Sequence, residues 1–350
     1  MSTLITPQTV IKHLVISGGG VTLIQVIAAF QELEKHNYIS MDNIKSIYSV
    51  SAGTMAGVCM SLGYDWSTLN DYIINRPWGS TINTSKTFVQ KIASIYSTNG
   101  ILSAETFTTV FEPLFSGKSI PIGVTLEELF AHSNIEQHFF TFNVNKMSLE
   151  DFSYKTHPNV RVIDAVFMSC NIPVMFSPCF IEGSCYVDGG LMCNYPSKFC
   201  ADNVENIDEI MGFKTVYSDD DSYLDDDINE TTGAIEYLSK FVKKLFGKFG
   251  KYIADIPLNN EMYLETTRMS MEILANVANS RDSRKSLFDK GTMTATNYLT
   301  SVREQQSVDK IDEIQPHSNY PMDNINRESK VTDAVTGAVT EYDSEYPYGY

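Results

Sequence analysis

The chain has 350 residues, 43% of them hydrophobic, and a net charge of −17. That is material for one large core or two modest ones, and the excess of acid excludes a general nucleic-acid binder, because phosphates would be repelled. Residues 1–9 lack the basic start and apolar stretch of an export signal, and no run approaches the roughly 20 apolar residues of a membrane span. The expectation is an intracellular protein, soluble or peripherally bound to membranes.

Residues 12–16 (KHLVI) read as a buried strand, broken by Gly18, Gly19 and Gly20. Residues 21–36 follow helical spacing, with Leu23, Val26, Ile27, Phe30 and Leu33 on one face. A second strand, 44–50, runs into Ser51 and a helix-like 53–62. This alternation predicts a parallel sheet covered by helices. Residues 64–133 look mostly helical and aromatic. Strands are expected at 139–144, 147–153, 179–181, 185–187 and 210–217, with a helix over 160–170. The acidic stretch 219–230 reads as a surface loop that separates residues 1–218 from a helical extension, 231–308. Residues 309–350 read as a polar, acidic tail, disordered alone or docked on the core.

Six cysteines are present, five of them between Cys170 and Cys200. No C-x-x-C pair occurs and no histidine lies among them, so they read as reduced thiols and not as a zinc site. No metal is expected.

Three short segments carry chemistry. In Ser49-Val50-Ser51-Ala52-Gly53 a serine sits at a strand-to-helix turn, a geometry that lifts its hydroxyl to the mouth of a helix dipole. Small neighbours are needed there, and Ser49, Ala52 and Gly53 are small. Gly18, Gly19 and Gly20 could present bare N–H groups to an oxyanion. Their competing reading is a phosphate-binding loop. No G-K-[ST] follows, and the acidic residue a ribose needs about 20 residues on is poorly placed, though Glu32 and Glu34 are not far off. Asp188 ends a strand-like run, and Gly189 and Gly190 leave room beside it; the competing reading is a turn aspartate. Taken together the three describe a serine hydrolase with a Ser51–Asp188 dyad. The histidines (His13, His36, His132, His138, His157 and His317) offer no better base.

In the order glycine loop, serine turn and D-G-G, residues 13–217 resemble the patatin-like phospholipase family. The likeness is closest over 162–196, VIDAVFMSCNIPVMFSPCFIEGSCYVDGGLMCNYP. The resemblance implies an α/β fold of the patatin-like three-layer α/β/α hydrolase type, with a central mostly parallel sheet and a helical C-terminal extension. It implies a lipid acyl hydrolase of phospholipase A type acting on a phospholipid or other acyl-ester lipid. Ser51 would attack the ester, Asp188 would be the base, and Gly18 to Gly20 would form the oxyanion hole. Ser49 and Gly53 would support the turn, and Gly189 and Gly190 would follow the base. No cofactor is implied. Two departures stand out. Thr22 and Leu23 replace the basic residue and last glycine of the family's G-G-G-x-[RK]-G loop, and Ser49 replaces the first glycine of its G-x-S-x-G turn. They motivate one alternative, a weak or inactive lipid-binding protein on the same fold; a second is an acyltransferase or general esterase that shares the dyad.

Over 235–253, Ile235, Leu238, Val242, Leu245, Phe246, Phe249 and Ile253 share a helical face bordered by Lys240, Lys243, Lys244, Lys248 and Lys251. Such a basic amphipathic helix is a candidate for peripheral membrane contact. The plainer reading is a helix packed on the core, weakened by Gly247 and Gly250.

Overall fold

The computed structural model describes residues 9–81, 102–217, 227–267 and 270–314, with backbone alone for Ile235 and 308–314. The chain divides into two units, Met1–Gln306 and Ser307–Tyr350. The described part of the second unit, 307–314, is helical. Apart from 227–230 and 309–314, the expected acidic loop and tail lie outside the described residues.

The first unit begins as its apolar periodicity dictates. Strand β1 (His13–Ile16) leads through a 3-10 turn (Gly20–Thr22) into α1 (Leu23–Lys35), and β2 (Ser46–Val50) leads into α2 (Ala52–Ser61). Val26, Ile27, Phe30 and Leu33 of α1 are all buried. Helices α3 (Trp66–Asn75), α4 (Trp78–Thr81), α5 (Ala104–Gly117) and α6 (Leu126–Ser133) follow. Asp65 caps α3 by accepting from the Thr68 N–H, and Thr125 and Glu128 form a reciprocal capping box on α6. Then come β3 (Glu136–Asn143), β4 (Ser148–Phe152), α7 (Val162–Ser169), β5 (Cys179–Ile181), β6 (Ser184–Asp188), α8 (Ser197–Asn203) and β7 (Ile210–Tyr217). The remaining elements are α9 (Ala234–Phe249), β8 (Asn260–Thr266), α10 (Met271–Asn279) and α11 (Arg281–Ile314).

The eight strands form one sheet in the order β5-β6-β3-β2-β1-β7-β8, with β4 also paired to β3. Neighbours in the order β3-β2-β1-β7-β8 run parallel, while β4 and β6 pair antiparallel with β3 and β5 antiparallel with β6. Strand alternation sends side chains to two cores. Leu14, Ile16, Ile47, Phe139 and Phe213 pack with α1, α2, α5 and α7 on one face. Val15, Tyr48, Val50 and Phe140 pack with Tyr195, Cys200 and Leu258 on the other. The result is a three-layer α/β/α fold around a mixed sheet whose centre is parallel.

The helical reading of 231–308 needs one correction, because that stretch contains β8. In NEMYLET, Met262, Leu264 and Thr266 are buried while Tyr263 and Glu265 face out, a period of two. Pairing with residues 211–217 of β7, Met262 opposite Phe213, selects the strand over a helix.

Candidate active site

The fold brings Ser51 and Asp188 together through β3. Parallel β2 pairs with β3 as far as Val50 opposite Phe140. Antiparallel β6 pairs with β3 as far as Asp188 opposite Thr141. Because β4 covers the other edge of β3 at these positions, β2 and β6 share one edge and meet head to head. Both chains must leave the sheet there, and Ser51 and Asp188 are the residues at which they do.

Ser51 leaves with φ 53° and ψ −132°, a backbone region that L-residues rarely occupy. The next turn is tightly packed: a Cβ on Gly53 would lie 2.7 Å from the carbonyl oxygen of Ile16 and 2.8 Å from that of Ser17. Ser49 is fully buried, its hydroxyl 3.4 Å from the His138 carbonyl, so the small hydroxymethyl group fits where the family pattern has glycine. The strained turn is tied down by neighbours. Thr54 Oγ1 donates to the Ser51 carbonyl at 2.6 Å, and the Ser51 N–H donates to Ser169 Oγ at 2.9 Å. Ser169 in turn donates to the Phe140 carbonyl at 2.6 Å, replacing the strand partner that β2 no longer supplies.

The Ser51 hydroxyl donates to Asp188 Oδ2 at 2.6 Å, and both residues are buried. The other carboxylate oxygen accepts the Gly190 N–H at 2.7 Å, and the Asp188 N–H donates to the Asn171 carbonyl at 2.8 Å. Gly189 sits where any side chain would collide, since a Cβ would lie 2.4 Å from the Phe140 carbonyl oxygen. Burial pushes the Asp188 carboxyl up to about 7, against the opposing pull of the Ser51 hydroxyl and the Gly190 N–H. Among the described residues no histidine hydrogen-bonds to either side chain, and no group of three or more His, Cys, Asp and Glu is placed to hold a metal. Cys170, beside the pair, has its thiol raised well above the ordinary range by burial and by the Asp188 charge, which keeps it protonated.

The glycine loop is arranged differently from expectation in one respect. The Gly18 N–H is taken, donating to the Asn194 carbonyl at 3.0 Å. The Asn194 side-chain amide also donates to the Gly18 carbonyl at 3.2 Å. Among the described residues the N–H groups of Gly19 and Gly20 have no acceptor, so the donors available to a ligand are Gly19 and Gly20 and not Gly18. The substituted residue Thr22 has a local use. Its hydroxyl and its N–H both donate to the Gly19 carbonyl, at 2.7 and 3.1 Å, and pin the turn. Asn194 belongs to the Asn194-x-Pro196 end of the family-like segment, whereas nothing in the sequence marks Ser169 by itself. Both lie inside the closely similar 162–196 segment, which was the available signal.

Ser51, Ala52 and Gly20 border a cavity of about 210 Å³. Its walls are overwhelmingly apolar, with Met55, Phe107, Val110, Met175, Phe176 and Leu274 among them. The buried Arg284 also lines it, but the guanidinium is spent on carbonyls of Ile74, Arg76, Val277 and Ala278, where it caps the ends of α3 and α10.

The model of the family described as patatin-like phospholipase matches residues 14–199, more than half of the chain. The chain therefore belongs to the patatin-like phospholipase family. It is similar to a probable lipid hydrolase of Invertebrate iridescent virus 6, at 25% identity over 53% of this chain and 61% of the relative. It is also similar to an uncharacterized protein of Acanthamoeba polyphaga mimivirus, at 27% identity over 57% of this chain and 64% of that protein. The matches thus span under two thirds of the length of either relative. Among solved structures, VipD from Legionella pneumophila is 16% identical with a TM-score of 0.49, covering 84% of this chain and 67% of that one.

Proposed function

We propose that this chain is a lipid acyl hydrolase of phospholipase A type that works through a Ser51–Asp188 dyad. The observation that carries the reading is the 2.6 Å hydrogen bond from Ser51 to a buried carboxylate at the edge of a 210 Å³ apolar cavity. An alkyl chain lying in that cavity would place its ester carbonyl at Ser51. Asp188 would take the hydroxyl proton as Oγ attacks the carbonyl carbon. The oxyanion of the tetrahedral intermediate would face the N–H groups of Gly19 and Gly20, with the positive end of the α2 dipole nearby. Collapse would break the bond to the leaving alcohol, which receives the proton from Asp188, and leave the fatty acid esterified to Ser51. A water would then attack this ester, give its proton to Asp188, and release the acid as the proton returns to Ser51. A carboxyl near 7 suits both directions of transfer at neutral pH.

The test is labelling by a fluorophosphonate, with the modified residue located by mass spectrometry in the parent, Ser51→Ala and Asp188→Asn. The reading expects a label on Ser51 in the parent and none in folded Ser51→Ala or Asp188→Asn. A folded parent that binds phospholipid but neither labels nor releases fatty acid overturns it in favour of a lipid-binding protein. Acyl transfer to an added alcohol in preference to water would make it an acyltransferase.

A further inference from the structure

We propose that α9 is an interfacial helix that seats the chain on an anionic lipid surface and holds the candidate site against it. The proposal rests on the lipid-hydrolase reading for the purpose of the contact, but its geometry stands apart from the dyad.

The first observation is that, among the described residues, α9 leaves much of its apolar side exposed: Val242, Leu245 and Phe246 are only half-buried. None of its described side chains is buried, whereas every other described helix of eight or more residues buries at least one. Leu238 and Phe241 are 46% and 44% exposed, and Tyr252, just past the helix, is 69% exposed. Tyr237 and Phe249 are exposed as well. Residues that recur at three- and four-residue spacing should bury against something, so this stripe is a surface waiting for an apolar phase.

The second observation is charge. Residues 234–253 hold five lysines and one glutamate in a chain of net charge −17. Glu236 is paired with Lys240 at 2.9 Å. Lys248 and Lys251 are exposed and immediately precede Phe249 and Tyr252 respectively. A strongly acidic protein is repelled by an anionic membrane unless it carries such a patch, and an apolar stripe flanked by lysines fits the boundary between acyl chains and head groups.

The third observation is where the helix is fastened. Its C-terminal cap, Gly250, accepts the Asn194 N–H at 3.0 Å, and the Ile253 N–H donates to the Met192 carbonyl at 3.1 Å. A Cβ on Gly250 would lie 2.8 Å from the Gly190 carbonyl oxygen, so only glycine allows this approach. These contacts fall on the residues that follow Asp188. Through Asn194, which binds both the N–H and the carbonyl of Gly18, they continue to the glycine loop. The end of the exposed helix and both loops of the site are therefore one hydrogen-bonded unit.

The experiment uses the whole chain and vesicles of phosphatidylcholine with and without phosphatidylserine. Binding is read by sedimentation, and hydrolysis is followed with a short-chain, water-soluble ester. The variants are Leu238→Ser/Phe241→Ser and Lys248→Glu/Lys251→Glu, with circular dichroism to verify folding. Binding should be at least about tenfold tighter to vesicles containing phosphatidylserine, and each double variant should lose about tenfold. Hydrolysis of the soluble ester should be unchanged. Binding that ignores phosphatidylserine and both double variants overturns the proposal. So does a parent that forms dimers by light scattering, fails to bind vesicles, and becomes monomeric with Leu238→Ser/Phe241→Ser, since the face then belongs to a second copy. If the parent hydrolyses nothing yet binds phosphatidylserine vesicles through these residues, the dyad reading fails and the interfacial helix stands.

Discussion

The two ends of β3 handle buried charge in opposite ways. At its N-terminal end His138 is buried, hydrogen-bonded to Asp151 at 2.7 Å and within ion-pair distance of Glu136 at 3.2 Å, and stacks on Tyr48 with ring centroids 3.9 Å apart. Lys155 completes the group, 2.7 Å from Glu136. Burial alone would raise the Glu136 carboxyl, but His138 and Lys155 hold it below its usual value. Burial would likewise lower His138, and the carboxylates of Asp151 and Glu136 carry it above 6.5 instead. At the other end Asp188 is as deeply buried, but its partners are a hydroxyl and one N–H, and its carboxyl rises to about 7. One end spends its charges on pairing. The other keeps a carboxylate whose proton affinity is left free for use.

The sharpest way to break this contrast is to remove either member of the proposed Ser51–Asp188 pair. Ser51→Ala and Asp188→Asn should each lower ester hydrolysis by about a thousandfold or more, measured as fatty acid released. The parent's rate should rise with pH through about 7, because only the carboxylate form of Asp188 accepts a proton. A flat profile from pH 5 to 9 would remove Asp188 from the reaction.

Stability should move the other way. The folded state binds the Asp188 proton more tightly than the unfolded chain, whose carboxyl titrates near 3.8. That contribution is complete below the unfolded value and is lost as pH rises through about 7. At pH 8, Asp188→Asn should therefore be more stable than the parent, on the order of 4 kcal/mol. The gain should shrink towards pH 4, as read by denaturant melts. A variant that is less stable at pH 8 would mean that the buried carboxylate is paired after all.

Ser169→Ala tests the scaffold beneath the strained turn. It leaves the Ser51 N–H and the Phe140 carbonyl without their shared partner, which should cost about 1–3 kcal/mol. It should also slow turnover while leaving lipid binding intact. At the far end of β3, His138→Gln should cost about 1 kcal/mol at pH 6 and less at pH 9. The His138 contribution is present below 6.5 and is lost as pH rises through its raised folded value. Fluorophosphonate labelling should not change. The smallest effect is one of preference. Ala278→Phe intrudes on the cavity wall and should shift hydrolysis towards shorter acyl chains by about tenfold or less.

Much of this was legible in the residues themselves. Ser51, Asp188 and the three glycines could be found because each is marked by its immediate neighbours: an apolar run on one side and small residues on the other. The α1 face and the parallel start of the sheet were readable for the same reason, since period and spacing are local properties. By contrast, β8 was hidden inside a stretch whose flanks are helical, and only the exposed edge of β7 gave it a strand to pair with.

By itself the sequence determined the local chemistry: a serine at a turn too tight for bulk, an aspartate followed by glycines, and a basic amphipathic stretch. Only the tertiary structure decided that β2 and β6 end against consecutive residues of β3, joining side chains 137 positions apart. It also decided that, among the described residues, the Gly18 amide is occupied while those of Gly19 and Gly20 are not, that Arg284 is consumed by helix ends, and that α9 leaves Leu238, Phe241 and Phe249 exposed. The physical reason is the same in each case. A side chain's type is written locally, but its partner, its burial and its proton affinity are set by residues far along the chain that strand register brings beside it.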